Sequence, residues 1–193
     1  MPVTHTNRKG RTYYLHQGVT KTGKPRYYLS PSSEGTLAEA VPEGFEIYEN
    51  PNAQVVLRRI LPKLITDAEL QVVEEEMRRF PYLKYCRLDV KGDTITLFEP
   101  NHTVEGFAKL PDRFGAGMSR RAEEWFEESM SFSPMLRFVL VDEAKRTFVA
   151  QRYCFRGSID DWIPIGLGAR GSLASLAHAY VRHLCQESFF ELF

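Results

Sequence analysis

Arg8, Lys9, Arg11, Lys21, Lys24 and Arg26 all fall within the first 30 residues, and no aspartate or glutamate accompanies them. Tyr13, Tyr14, Tyr27 and Tyr28 are interleaved with these cations. Clustered cations give sequence-independent affinity for a phosphate backbone, and aromatic faces stack on bases. Lys9, Arg11, Lys21, Lys24 and Arg26 are therefore the candidate phosphate contacts, with Tyr14 and Tyr27 as stacking residues. The amides of Thr22, Gly23 and Lys24 are a candidate backbone nest for a phosphate oxygen. A plainer reading stands beside this one: the tyrosines fix the arm to the body, and the cations meet water or the chain's own carboxylates. The whole chain is formally neutral, with 25 basic and 25 acidic residues, so the basic arm sits on a mildly acidic remainder. A neutral total supplies no global field toward nucleic acid or anionic lipid.

Three other constellations have chemistry-bearing residue types. His183 and Glu187, four apart, have the spacing of a carboxylate-oriented general base on a helix, and equally of an ordinary surface pair. Asp160 and Asp161 in GSIDDWIP suit a divalent cation or acid–base work only where the chain turns, because successive strand side chains point to opposite faces. The alternative is a capped turn with Trp162 in the core. Cys86, Cys154 and Cys185 form no CxxC pair. Cys86 and Cys154 lie on separate predicted strands, and His183-Leu184-Cys185 is the one close Cys/His combination. Small apolar packing in a reducing compartment is the expected role of the cysteines. His5, His16, His102, His178 and His183 form no ligand triplet, the GxGxxG-spaced run Gly166-Leu167-Gly168-Ala169-Arg170-Gly171 follows no predicted strand of a βαβ unit, and GxxxxGK[ST], HExxH and GxSxG are absent. No metal or cofactor is expected. The terminal Phe189, Phe190, Leu192 and Phe193 either dock into the core or present an apolar patch to a protein partner.

These residues depend on a mixed set of elements. Arg11–Leu15 and Arg26–Ser30 read as strands joined by a long loop, GVTKTGKP, with a short helical turn at 37–41. Residues 45–48 and 54–60 form either a second hairpin or, over 51–59, a helix. Thr66 and Glu69 have capping-box spacing, and Leu70, Val73, Met77 and Phe80 follow as a helical stripe that Pro81 ends. Residues 82–90 and 94–98 make a hairpin about Lys91-Gly92-Asp93. A second helix runs from Ser119, its face built from Ala122, Trp125, Phe126 and Met130, and Pro134 closes it. Residues 136–141 and 146–155 make another hairpin, and a third helix from Ser172 carries Leu173, Leu176, Ala177, Tyr180, Val181 and Leu184. The expectation is an α+β fold: an N-terminal basic β-hairpin appended to an antiparallel sheet of two hairpins, with three helices packed on one face. Residues 1–60 form the arm and connector, and 61–193 the core domain. Residues 101–118 are a long loop.

The span from about Lys9 to Ala40 resembles the arm-type DNA-binding hairpins at the start of tyrosine recombinases, with an aromatic strand, a basic Gly-containing turn and a second basic aromatic strand. Nothing after residue 60 looks like a recombinase catalytic domain. Taken whole, GRTYYLHQGVTKTGKPRYYLS, PEGFEIYENPNAQV, RGSIDDW and HLCQESFFELF resemble an uncharacterised family of small bacterial proteins. That resemblance implies a soluble, non-secreted bacterial chain and brings no activity with it. The N-terminus lacks the apolar core of a secretory signal, no run of about 18 apolar residues exists, and the expected location is cytoplasmic. The sequence thus points to a non-catalytic binding protein that contacts nucleic acid through the arm. The alternative is a protein-interaction module using the arm or the FFELF tail. A further alternative is a small enzyme built on His183, Glu187, Asp160 and Asp161.

Overall fold

The computed structural model describes residues 1–101, 129–156 and 159–192, the side chains of 155, 156, 159 and 160 excepted. The described residues divide into two compact units. One is Met1–Ile60 with Ser129 and Met130; the other is 61–101 with 131–192.

The first unit is built from strands. β1 (Thr4–Thr6), β2 (Thr12–Val19) and β3 (Pro25–Ser30) form an antiparallel sheet in that order. β4 (Phe45–Glu49) and β5 (Val55–Arg59) form a separate hairpin, which settles the strand-or-helix alternative for this segment. Leu15 and Ala38 are buried, and Ala38 exchanges backbone bonds with Val3 and Leu15, so 36–38 lies extended along β2. No helical turn forms at 37–41, contrary to expectation. Asn7 is buried and satisfied: Nδ2 donates to Ala53 O at 2.8 Å, and Oδ1 accepts from the amides of Lys9 and Arg11.

The second unit carries a six-stranded antiparallel sheet. β6 (Arg87–Lys91), β7 (Thr94–Pro100), β8 (Phe132–Asp142), β9 (Thr147–Arg156) and β10 (Ile159–Pro164) lie in the order β10-β9-β8-β7-β6, and the short β11 (Arg170–Gly171) pairs with β9. Alternation along the strands puts Ile95, Leu97, Leu136, Phe138, Leu140, Phe148 and Ala150 on one buried face. Two helices supply the rest of that core. α1 (Asp67–Arg78) contributes Val73, with Leu70 and Met77 beside it, and α2 (Leu173–Tyr180) contributes Leu173, Leu176 and Ala177. The buried Glu76 of α1 accepts from His178 of α2 at 3.1 Å and pairs with Arg79 at 2.9 Å.

This corrects the expected architecture of three helices over a two-hairpin sheet. Among the described residues there are two α-helices, and the sheets have three, two and six strands. The helix expected from Ser119 falls largely on residues outside the described set. Its expected stop, Pro134, is a strand residue. It sits at a bulge where Leu97 pairs with Leu136 and Phe98 with Pro134, leaving Met135 as the extra residue. A bulge interrupts the ladder, and a proline without an N–H is tolerated there. Ile159–Pro164 of GSIDDWIP does not turn; it is β10, paired along β9.

The capping box forms as read, with Thr66 Oγ1 accepting from the Glu69 amide and Glu69 from the Thr66 amide. Glu69 also receives Arg146, whose Nε lies 2.9 Å from Oε1 and whose second amine reaches Oε2. Burial pushes the Glu69 carboxyl up, but the bonds from Arg146 and Thr66 outweigh it and hold the group below its ordinary value. A depressed folded-state pKa contributes stability that is present above the ordinary carboxylate range, about pH 4, and is lost as pH falls through the lowered value. Glu69→Gln is therefore expected to lower the urea midpoint at about pH 7, with the gap from the parent closing below about pH 4. An equal gap at both pH values would dismiss this linkage.

Candidate nucleic-acid interface

Directly opposed residues of an antiparallel pair share a face. In β2 and β3, Tyr14 faces Ser30, His16 faces Tyr28, and Gly18 faces Arg26, all on one side. Leu15 with Leu29, Gln17 with Tyr27, and Val19 with Pro25 occupy the other. Tyr14 and Tyr27 thus lie on opposite faces and cannot stack on one ligand strand together. Tyr27 lines a groove of about 500 Å³ with Gln17, Leu37 and the carboxylate-bearing Glu39, poor surroundings for a phosphate. Tyr28, passed over in the sequence reading, is 44% exposed. Its ring stacks on His16 with centroids 5.0 Å apart and planes 9° from parallel, and the Arg26 guanidinium lies 5.4 Å from its centroid. The buried His16 is fixed by a 2.9 Å bond to the Ser32 carbonyl. His16 and Arg26 thus both approach the Tyr28 ring on the face of the hairpin that also bears Tyr14. Strict alternation could have separated Tyr27 from Tyr28; choosing between them needed the register.

The hairpin turn is five residues, Thr20 to Lys24, shorter than the loop expected. Thr20 organises it. Its amide donates to Lys24 O at 2.8 Å, its carbonyl accepts from Gly23, and its hydroxyl accepts from the Lys24 amide. Gly23 takes φ +78°, which glycine adopts without steric cost. Two of the three amides proposed as a phosphate nest are thereby spent on Thr20, so cations rather than amides must carry any phosphate contact.

The six N-terminal cations differ in their surroundings. Arg8 is consumed: Nε lies 2.7 Å from Glu49, and its other nitrogens donate to the carbonyls of Asn50 and Pro51. His5 meets the same carboxylate at 3.1 Å. Lys9 Nζ donates to Met130 O at 3.1 Å, and the exposed Arg11 lies over Tyr13 at 5.7 Å. Lys21, Lys24 and Arg26 are exposed, and none of them has an ion pair with a described carboxylate.

The enzyme constellation does not assemble. α2 ends at Tyr180, and Val181–His183 continues as a tighter 3-10 turn. Cys185 then takes φ +59°, so His183 and Glu187 lose their helical relation. His183 Nδ1 instead lies 2.9 Å from Ser188 Oγ, and Arg182 Nε donates to Nε2 at 3.3 Å. An arginine only donates, so Nε2 is the bare nitrogen and Nδ1–H points at the hydroxyl, the reverse of nucleophile activation. Burial, then the Arg182 charge, holds this imidazole below its ordinary pKa. Asp161 lies on β10, the opposite sheet edge from β6, and accepts from the Trp162 amide at 2.7 Å. The Asp160 side chain is outside the described set. Trp162 does not plug the core. It packs edge-on to Tyr153 and under Arg137, 4.3 Å from its ring, along an open groove of about 520 Å³ on the face opposite the helices. Among the described residues no group of three or more His, Cys, Asp or Glu side chains is arranged to hold a metal ion.

Comparison with protein-family models, with curated proteins and with solved structures returns no match. The residues themselves carry the functional reading.

The tail is divided. Phe189 is fully buried and Leu192 packs against the core, whereas Phe190 is 59% exposed; Phe193 lies outside the described residues. Phe189→Ala is expected to cost about 3–5 kcal/mol in urea unfolding. Phe190→Ala should stay within about 0.5 kcal/mol. Equal costs at the two positions would rule out this arrangement of the tail.

Proposed function

We propose that the chain is a non-catalytic binding protein whose β2–β3 hairpin contacts nucleic acid. Lys21, Lys24 and Arg26 meet phosphates, and the Tyr28 ring, backed by His16, stacks on an unpaired base. One observation carries this reading: the three cations at the hairpin tip are exposed and unpaired with described carboxylates, whereas Arg8 near the other end of β2 is spent on Glu49. Arg11 and Tyr14 are peripheral to this surface. Lys9, held by a backbone carbonyl, and Tyr27, beside Glu39, are left out of it. The Tyr28 ring is ordered in advance against a fixed imidazole, and a base stacks on it as Arg26, 5.4 Å from the ring, turns to a phosphate, which favours sequence-tolerant stacking over base-edge readout.

We place the protein in the cytoplasm, where thiols persist reduced; its three cysteines are unpaired. No described helix is long and apolar enough to cross a membrane.

Fluorescence anisotropy with a labelled single-stranded oligonucleotide and its duplex, titrated with salt, tests the reading. Affinity should fall log-linearly with salt. The triple change Lys21→Glu, Lys24→Glu and Arg26→Glu should reduce the magnitude of the single-strand slope by about 2, at about 0.7 per lost phosphate contact. Tyr28→Ala should weaken single-strand binding by roughly five- to a hundredfold, the range of one lost base stack. Tyr27→Ala should leave it unchanged. Charge reversal without effect on affinity or slope would falsify the proposal. Salt-insensitive capture of a protein would instead favour a protein partner for the arm.

A further inference from the structure

Cys86 and Cys185 are 99 residues apart in the chain, yet their sulfurs lie 3.6 Å apart. Cys154, the third cysteine, lies on β9 opposite Asp161. The backbone on both sides of the thiol pair is tied down. Cys86, at the entry to β6, donates its amide to Leu83 O at 2.9 Å. Cys185 sits in the left-handed region just after the 3-10 turn, and its amide donates to the Glu99 carboxylate on β7. The Tyr82 hydroxyl donates to the Arg182 carbonyl at 2.6 Å, joining the two turns that carry the cysteines. Cys86 is buried, whereas Cys185 is an exposed residue whose thiol is itself partly covered.

We propose that Cys86 and Cys185 form a redox-active dithiol that a hydroperoxide converts into an intrachain disulfide. With hydrogen peroxide, the Cys185 thiolate attacks one peroxide oxygen and the O–O bond breaks. The departing hydroxide takes up the thiol's proton and leaves as water, and Cys185 becomes a sulfenic acid. The Cys86 sulfur then attacks the Cys185 sulfur. The S–S bond forms, the S–O bond breaks, and the hydroxide leaves as a second water with the Cys86 proton. The two sulfurs lose two electrons and the peroxide gains them. Closing from 3.6 Å to a bond of about 2.05 Å needs a movement of about 1.5 Å, within reach of side-chain rotation and a small shift of an exposed turn.

The surroundings disfavour the thiolate. The bond to Cys86, burial and the Glu99 charge push the Cys185 thiol far above its ordinary pKa. Among the described residues, Glu99 from β7 and Tyr82 from the turn Pro81–Leu83 interact with the pair, and the Arg182 charge from the turn after α2 acts on Tyr82. A thiol kept protonated reacts slowly, so the conversion needs a prolonged oxidant treatment.

The full chain, treated with hydrogen peroxide, unfolded and alkylated, tests this by mass spectrometry. The expected result is loss of two hydrogens, loss of two of the three alkylation sites, and a linked peptide containing Cys86 and Cys185 that separates on reduction. Cys154→Ser should leave that linkage in place. Cys185→Ser, at the exposed position, should abolish it without disturbing the fold. Three alkylatable thiols after a treatment that oxidises a reference dithiol peptide, or a bond to Cys154 or between molecules, would overturn the proposal. The outcome is independent of nucleic-acid binding, because the thiols and the hairpin belong to different units.

Discussion

The grip of Arg146 on Glu69 is the interaction on which the second unit's layers depend. Arg146 ends the β8–β9 turn with φ +49°, an unusual conformation for a residue with a side chain. Its guanidinium holds Glu69 by two donors and also reaches the Leu64 carbonyl at 2.9 Å. Glu69 is at the same time the reciprocal half of the capping box. One carboxylate thus fixes where α1 begins and ties that beginning to the turn between the two longest strands. A half-buried charge costs solvation, and a bidentate partner with further donors is the arrangement that offsets it. With the start of α1 set, the stripe Leu70, Val73, Met77 lies over the inner sheet face, and Glu76 is brought to α2.

The first unit applies the same electrostatics to a different end. Glu49 accepts from His5 and Arg8, so the N-terminal strand is fastened to the β4–β5 hairpin by spending its charge. Met1–Ile60 holds eight basic and five acidic residues, and Glu46 is likewise taken by Arg58 at 2.8 Å. Neutralisation is therefore local, at the joint between the N-terminal strand and the β4–β5 hairpin and across that hairpin itself. The tip of β2–β3 keeps its positive charge because no described carboxylate pairs with its cations. A count of charges along the chain does not distinguish these cases; position along the hairpin does.

Much of this could be read from the residues. The capping box at Thr66, the stripe of α1, the Ser172 cap and the alternation of β6 to β9 are local patterns, and local patterns fix local structure. What failed to read was set by pairing. Asp160-Asp161 is poor strand material, yet β9 offers an open edge and backbone pairing overrides the propensity. Pro134 has the form of a helix stop, and only the bulge against β7 makes it a strand residue. The faces of the N-terminal hairpin depend on a five-residue turn that sets Gln17 against Tyr27 and His16 against Tyr28. A turn one residue shorter or longer would have exchanged those partners.

The end of α2 shows how one backbone choice redistributes chemistry. A helix continued through Leu184 would have kept His183 and Glu187 four apart on one face, as the spacing suggested. The chain tightens after Tyr180 instead, which buries both Val181 and Leu184. Cys185 then reverses direction in the left-handed region and delivers its amide to Glu99 and its sulfur to Cys86. The change that dissolves the histidine–carboxylate pair is thus the change that creates the thiol pair. Phe189, four residues beyond this reversal, is fully buried in the core. Burial of three apolar side chains outweighs the few helical hydrogen bonds given up, since each buried side chain is worth about 1.5–3 kcal/mol and each such bond about 1 kcal/mol net. Apolar burial at Val181, Leu184 and Phe189, not the spacing of polar residues, decides which reactive groups meet.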